Sequence, residues 1–451
     1  MRWLIVLLLL VLVLPLGALQ LLGVSPMAIP AAIGVGTGLT AKLACSGHYL
    51  SGFSDEQNLR DIATYSPLAS LVTMRRAGPD TFHADLMGLG AASARFYPGL
   101  GCTLEYPGMA DLAGLQPPGH IPGPGMWPAG PEVGSYREDI QSVLDALLEE
   151  DNALGLDTRA LVVVQGGNIV AETYADGIEV DTPLLGWSMG KSVSAMLIGR
   201  MEAMGLVDPA ETDLFPPWRN DERREISLLN LLQMSSGLDF SEPYIPGSDS
   251  TRMLFLSPSA ADVAMSSPLA HTPGSHFYYS SGTSNLLTRL AWDRLGGDSQ
   301  ALLDFFAAEI AAPLGLRATT LELDASGVFV GSSYIYAPAR DWGRLGQLML
   351  NDGRVGDRQL LPRGWTARAA APNASSNDPR YGYQFWLNRG GNSLRWPALR
   401  DDAYAMMGNR GQVVMMLPGL DAVVVRLGWT ATDYDPNARM LPLQRVLSGE
   451  G

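Results

Sequence analysis

The 451-residue sequence predicts an α+β fold, and three observations carry that expectation. Residues 136–152 repeat apolar side chains at helical spacing, with Ile140, Val143, Leu144, Leu147 and Leu148 on one face. Two β-rich runs follow at 160–165 and 169–174. Gly166-Gly167-Asn168 joins them, the pattern of an antiparallel hairpin. Late in the chain, residues 403–417 and 422–428 read as two more strands around Pro418-Gly419, before a closing helix at 438–447. Strands at both ends of a mostly helical middle imply one antiparallel sheet flanked by helices.

Taken in order, the chain opens with an apolar stretch at residues 3–24, after Arg2. Its length matches a bilayer crossing. Ala28-Ile29-Pro30-Ala31 fits a leader cleavage site poorly, because proline interrupts it. The expectation is an uncleaved anchor with Arg2 on the cytoplasmic side. The bulk of the chain is then exported, to a periplasmic or other extracytoplasmic space. Residues 25–44 are small and glycine-rich and read as a spacer. Residues 45–112 form an accessory segment with short apolar runs at 82–89 and 94–97. It holds Cys45 and Cys102, the two cysteines of the chain. An oxidising compartment allows them to bond, and so small a segment needs such a staple to stand alone. A Pro/Gly-dense stretch at 116–131 marks a linker. The chain therefore divides into residues 1–24, 25–135 and 136–451. Within the last part, residues 188–205, 227–234, 285–295, 302–310 and 341–350 read as helices, and residues 240–278 as irregular.

Composition excludes some functions. The net charge is -15, from 31 basic and 46 acidic residues, and no Lys/Arg run offers a nucleic-acid surface. His271 and His276 lack helical metal-ligand spacing, and the glycine-rich residues 34–38 lie outside any strand-turn-helix unit. Neither a metal, an organic cofactor nor a nucleic-acid partner is expected.

The chemistry concentrates at Gly186-Trp187-Ser188-Met189-Gly190-Lys191. Ser188 and Lys191 sit three apart, on one face of a first helical turn. A serine needs activation, and a buried lysine loses its proton readily where arginine does not. Lysine is otherwise rare: Lys42 and Lys191 are the two in the chain, and arginine serves elsewhere. Position 191 therefore reads as one that arginine cannot fill. A proton carrier and oxyanion donors must come from elsewhere. The hydroxyl-rich turn ending Tyr278-Tyr279-Ser280-Ser281 and the segment Asn409-Arg410-Gly411-Gln412 are the candidates. By composition, Tyr278 and Tyr279 are equal as phenols.

The set resembles the serine β-lactamase and penicillin-binding-protein superfamily, in its class C-like branch with esterases and aminohexanoate-dimer hydrolases. Ser188-Met189-Gly190-Lys191 is similar to its S-x-x-K motif. Tyr279-Ser280-Ser281 resembles its Tyr-x-Asn motif, and Asn409-Arg410-Gly411 its third. Leu231 to Leu238 is similar to a segment common in the branch. The resemblance covers about residues 140–447. It implies a β-lactamase-like fold, Ser188 as acylated nucleophile, Lys191 and Tyr279 as proton carriers, and backbone N–H groups of Ser188 and Gln412 as oxyanion hole. It also implies Tyr244 as a substrate contact. Ser281 replaces the asparagine expected to hold a substrate amide, and Asn409 the lysine expected to attract a carboxylate. Both departures point away from β-lactam and D-alanyl peptide substrates, towards a small ester or simple amide.

Two rivals make different predictions. Residues 186–190 also satisfy G-x-S-x-G, the nucleophile elbow of α/β-hydrolases, which requires a strong strand before Ser188 and an Asp and a His after it. A non-catalytic envelope binding or sensor protein requires none of Ser188, Lys191 and Tyr279.

Overall fold

The computed structural model describes residues 28–119 and 124–450. The expected anchor at 3–24 lies outside the described residues. Helix α1 (Ile29–Tyr49) and α2 (Asp55–Ala63) come first. A four-stranded antiparallel sheet follows: β1 (Thr73–Arg76), β2 (Thr81–Leu86), β3 (Leu89–Tyr97) and β4 (Gly101–Leu104). Helix α3 (Glu138–Ala153) then leads into the hairpin β5 (Thr158–Gln165) and β6 (Asn168–Tyr174).

A mostly helical region comes next. It includes the short strand β7 (Leu184–Leu185), α4 (Met189–Ala203), α5 (Leu228–Leu232), α6 (Asp249–Phe255), α7 (Ala260–Met265), α8 (Ser281–Arg294) and α9 (Ser299–Phe306). Strands β8 (Thr320–Leu321) and β9 (Ile335–Ala337) pair with β7 in the order β7-β9-β8. Helix α10 (Ala339–Leu350) and a small hairpin, β10 (Arg354–Val355) and β11 (Arg358–Gln359), follow. The chain then returns to the large sheet through β12 (Trp386–Leu387), β13 (Tyr404–Gly408), β14 (Gln412–Leu417) and β15 (Ala422–Gly428), and ends in helix α11 (Leu441–Ser448).

The six-stranded sheet runs β12-β13-β14-β15-β5-β6. Early and late parts of the chain meet where β15 pairs antiparallel with β5, Val424 opposite Val163. Alternation along each strand builds two cores. Val162, Val164, Val414, Met416, Val423 and Val425 face the larger core, with α4 and α10. Leu161, Val163, Val413, Met415 and Val424 face the other, against Ile140, Leu144 and Leu147 of α3 and Leu443 and Leu447 of α11.

Three expectations are corrected. Residues 25–44 are not a spacer where they are described: α1 is a helix whose residues 40–47 are all buried. Its glycines allow close packing rather than flexibility. A Cβ on Gly38 would sit 2.9 Å from the Phe255 carbonyl oxygen, and one on Gly47 would meet Asn58 at 2.1 Å. Residues 403–417 are two strands, because Asn409–Gly411 turns the chain with Arg410 at φ +64°. Residues 240–278 contain α6 and α7, each capped by a serine, Ser248 and Ser259.

The N-terminal elements share the larger core: Ala41, Leu43, Phe82 and Cys102 belong to the same apolar cluster as Val193 and Leu286. Cys45 and Cys102 are bonded, tying α1 to β4. Beside them Lys42 pairs with Glu322 inside the protein, where Ser46 (2.7 Å) and the Cys102 N–H (2.7 Å) also donate to that carboxylate. The described end of the Pro/Gly stretch is held too. Arg344 donates to the carbonyls of Pro128 and Gly130, and Trp127 is buried.

Candidate active site

Ser188 occupies the N-cap position of α4. The preceding Trp187 has φ +48°, unusual for a bulky residue, and is held there by burial among Tyr65, Tyr334 and Trp429. The turn thus presents Ser188 at the start of a 15-residue helix, where the backbone N–H groups favour negative charge. Strand β7, just before it, is two residues long and antiparallel to β9. An α/β-hydrolase elbow would follow a parallel central strand instead.

One turn into α4, the buried Lys191 amine reaches three oxygens: Ser188 Oγ (2.8 Å), Ser281 Oγ (2.9 Å) and the Ser332 carbonyl (2.9 Å). The carbonyl can only accept. Ser281 spends its single proton on Glu242 Oε1 (2.6 Å), so it too accepts from Lys191. Ser188 is the one partner free to give its proton to a neutral amine. Burial lowers the Lys191 pKa to about 8, while attraction to Glu242 works the other way. Burial likewise raises the Glu242 carboxyl, against the pull of Lys191.

Tyr279 lies with the pair. The Lys191 amine is 5.0 Å from its ring centroid, and the ring stacks on Trp386 at 4.9 Å. Burial and Glu242 raise the Tyr279 pKa, with a hydrogen bond to Ser188 opposing them, so the phenol keeps its proton. Tyr278 is exposed, and its oxygen accepts the Glu242 N–H at 3.4 Å. Of the two phenols, Tyr279 is the one that lies beside Ser188 and Lys191.

The remaining sequence-derived candidates separate. Ser281 is fully buried behind Lys191 and holds Glu242 twice, through Oγ and through its N–H (2.7 Å). It stands between the Lys191 amine and the Glu242 carboxylate. Tyr244 reaches Ser281 Oγ (3.1 Å) and leaves 48% of its surface exposed. Asn409 is exposed and accepts from Tyr65 Oη (3.3 Å). Arg410 lays its guanidinium 3.8 Å from the Tyr65 ring centroid and donates to the carbonyls of Thr430 and Ala431.

Gly411 takes φ +78° beneath Arg426, which donates to its carbonyl. Gln412 begins β14, and its side chain bonds to Gly428. The strand bordering the serine turn is β13. A Cβ on its Gly408 would sit 2.2 Å from the Gly186 carbonyl oxygen. Gly408, at the end of β13, thus lies against the turn just before Ser188, and Gln412 pairs with it from β14.

Sequence reasoning missed Glu242, the Ser332 carbonyl and Tyr65. A carboxylate inside a Ser/Pro/Gly-rich stretch, two residues before Tyr244, was the available signal for Glu242. Neither of the others carries one.

A family model described as Beta-lactamase matches residues 141–446, more than half the chain. The chain belongs to the β-lactamase family. The family member in hand is a serine hydrolase of β-lactamase type. The 6-aminohexanoate-dimer hydrolase of Paenarthrobacter ureafaciens is 24% identical over 301 residues, covering 62% of this chain and 74% of that relative. EstCE1, a hydrolase with promiscuous acyltransferase activity, superposes with a TM-score of 0.57 at 17% identity, over 70% of this chain and 99% of that one. A class C β-lactamase superposes with a TM-score of 0.52 at 15% identity, over 69% of this chain and 96% of its own. The family match begins at residue 141, so Tyr65 reaches the site from a part of the chain that precedes it.

Proposed function

We propose that the protein hydrolyses a small ester or simple amide through an acyl-enzyme on Ser188. The observation that carries this reading is the Lys191 amine at 2.8 Å from Ser188 Oγ, with its other two partners able only to accept. Neutral Lys191 takes the Ser188 proton as Oγ bonds to the substrate carbonyl carbon. The oxyanion forms against the Ser188 N–H and one from the end of β13, at Gly408–Asn409; this replaces Gln412 in that role. Tyr279, held as a phenol, gives its proton to the leaving oxygen or nitrogen and is refilled from the Lys191 ammonium. Water then attacks the acyl carbon, losing its proton to the same pair and releasing the acid and Ser188.

The substrate class rests on charge. Arg410, the cation within the third motif, is engaged by Tyr65 and two carbonyls, and Glu242 brings negative charge beside the lysine. Such surroundings favour uncharged acyl compounds over the carboxylates of β-lactams and D-alanyl peptides. The disulfide and the apolar residues 3–24 support an exported, membrane-held enzyme. The test is covalent labelling with a fluorophosphonate, followed by a panel of p-nitrophenyl esters, anilides, nitrocefin and D-Ala-D-Ala peptides. Labelling that is lost in Ser188→Ala, with turnover of esters or anilides, is expected. A folded protein with no Ser188 adduct belongs instead to the non-catalytic class.

A further inference from the structure

We propose that the face around the first turns of α1 rests on a lipid bilayer and that the enzyme takes acyl esters or amides carried in that bilayer. The proposal rests on the hydrolase reading above and narrows its substrate.

Four charge-free stretches converge on this face, in a chain of net charge -15. The first is residues 29–36 of α1, apolar or small and less buried than the rest of the helix. The second is the tip of the β2–β3 hairpin, where Met87 is 83% exposed and Leu89 60%. This hairpin lies against α1: a Cβ on Gly90 would meet Ile33 at 2.4 Å, and Thr37 donates to the Gly90 carbonyl. The third is residues 66–73, with Leu71 exposed and Val72 3.8 Å from a Cβ on Gly36. The fourth is residues 243–248. Ile245 there is 61% exposed, and a Cβ on Gly247 would lie 3.9 Å from Ala31 Cβ. An apolar surface gathered from four separate stretches is unusual on a soluble face and marks an interaction site.

The chain itself names the occupant. The 27 residues before Ala28 carry the apolar stretch 3–24, and they join α1 at its first turn, on this face. An anchor there brings Met87, Leu89 and Ile245 to the headgroup boundary, where exposed apolar side chains bury and uncharged backbone meets little repulsion. The fourth stretch is also the site's rim: Tyr244, beside Ile245, bonds to the Ser281 that holds Lys191. An acyl chain leaving the bilayer past Ile245 and Tyr244 enters on the side of the site where Ser281 and Lys191 lie.

The test uses the full chain in phosphatidylcholine vesicles. Cys45 and Cys102 are bonded, so Met87→Cys and Ile245→Cys each supply one thiol for an environment-sensitive fluorophore. Emission at both positions should shift to the blue and be quenched at least about twofold by doxyl-labelled lipid. A control at Glu149→Cys, on α3 across the large sheet, should show neither effect. In parallel, Met87→Glu with Leu89→Glu should lower turnover of a vesicle-borne p-nitrophenyl palmitate about tenfold, leaving soluble p-nitrophenyl acetate unchanged. Three results overturn the proposal: probes that stay wet, shielding without doxyl quenching (a second copy or residues 3–24 covering the face), or equal loss on both esters. A wild type inactive on every ester but quenched by doxyl lipid would end the hydrolase reading and the substrate assignment, while keeping the membrane contact.

Discussion

The pH dependence of acylation probes the Lys191 environment directly. At its ordinary pKa of 10.5, a lysine is neutral in about one molecule in 3,000 at pH 7. With the pKa lowered to about 8, the neutral share is about one in ten. Burial thus supplies roughly 300-fold more free base, about 3 kcal/mol at 1.36 kcal/mol per unit. The expected profile of kcat/KM on a soluble anilide rises tenfold per pH unit up to about pH 8, then levels. Glu242→Gln removes the negative charge that favours the ammonium form, so the limb should move to lower pH. The midpoint is the readout, because glutamine also alters the acceptor for Ser281 and changes the amplitude. A wild-type limb near 10.5, or a Glu242→Gln limb displaced upwards, would falsify the assignment of Lys191 as base.

Other variants separate the remaining roles. Lys191→Arg should lower turnover about a thousandfold or more with unchanged circular dichroism, since arginine keeps its proton; wild-type-like rates would remove position 191 from the chemistry. Tyr279→Phe should slow acylation about a hundredfold in single-turnover assays, and Tyr278→Phe should leave it unchanged. The reverse pattern would move the proton carrier one residue. Lys42→Met strands the Glu322 carboxylate in the core and should cost about 3 kcal/mol in urea unfolding, the low end for a broken buried pair because Ser46 and Cys102 still donate. A loss below 1 kcal/mol would mean the pair adds little to docking α1.

What the sequence made legible were features with short-range signatures. The spacing of Ser188 and Lys191 implied a shared helical face, and the hairpin at 158–174 is coded by its β-rich runs and glycine turn. Signals failed where long-range packing decides. Gly34, Gly36 and Gly38 suggest a flexible spacer by composition, yet they let α1 press against Leu256, Val72 and Phe255. Residues 403–417 lack proline and read as one strand, although Gly408-Asn409-Arg410-Gly411 contains the turn. The expectation at Gln412 came from the resemblance of the third motif, and only the turn reveals that Gly408 of β13 lies against Gly186. Glu242 and Tyr65 sit 51 or more residues from Lys191, and no local pattern ties them to it.

The chain's two lysines show how the protein sets the protonation of an amine. Lys42 has a carboxylate in direct contact, with the Tyr334 ring 4.3 Å below its amine. Burial lowers the Lys42 pKa, and the contact with Glu322 opposes that shift, in a pair that pins α1 to the rest of the core. Lys191 is equally buried, but its carboxylate stands one hydroxyl away: Ser281 receives from Lys191 and gives to Glu242. The attraction is thereby weakened, not removed, and burial prevails in lowering the pKa to about 8. Ser281 in place of asparagine then has a physical reason. An asparagine amide would offer donors as well as an acceptor between lysine and glutamate, whereas a hydroxyl fits the space with one proton and points it at the carboxylate. Ser281 and Glu242 thus form one hydrogen-bonded unit around the Lys191 amine.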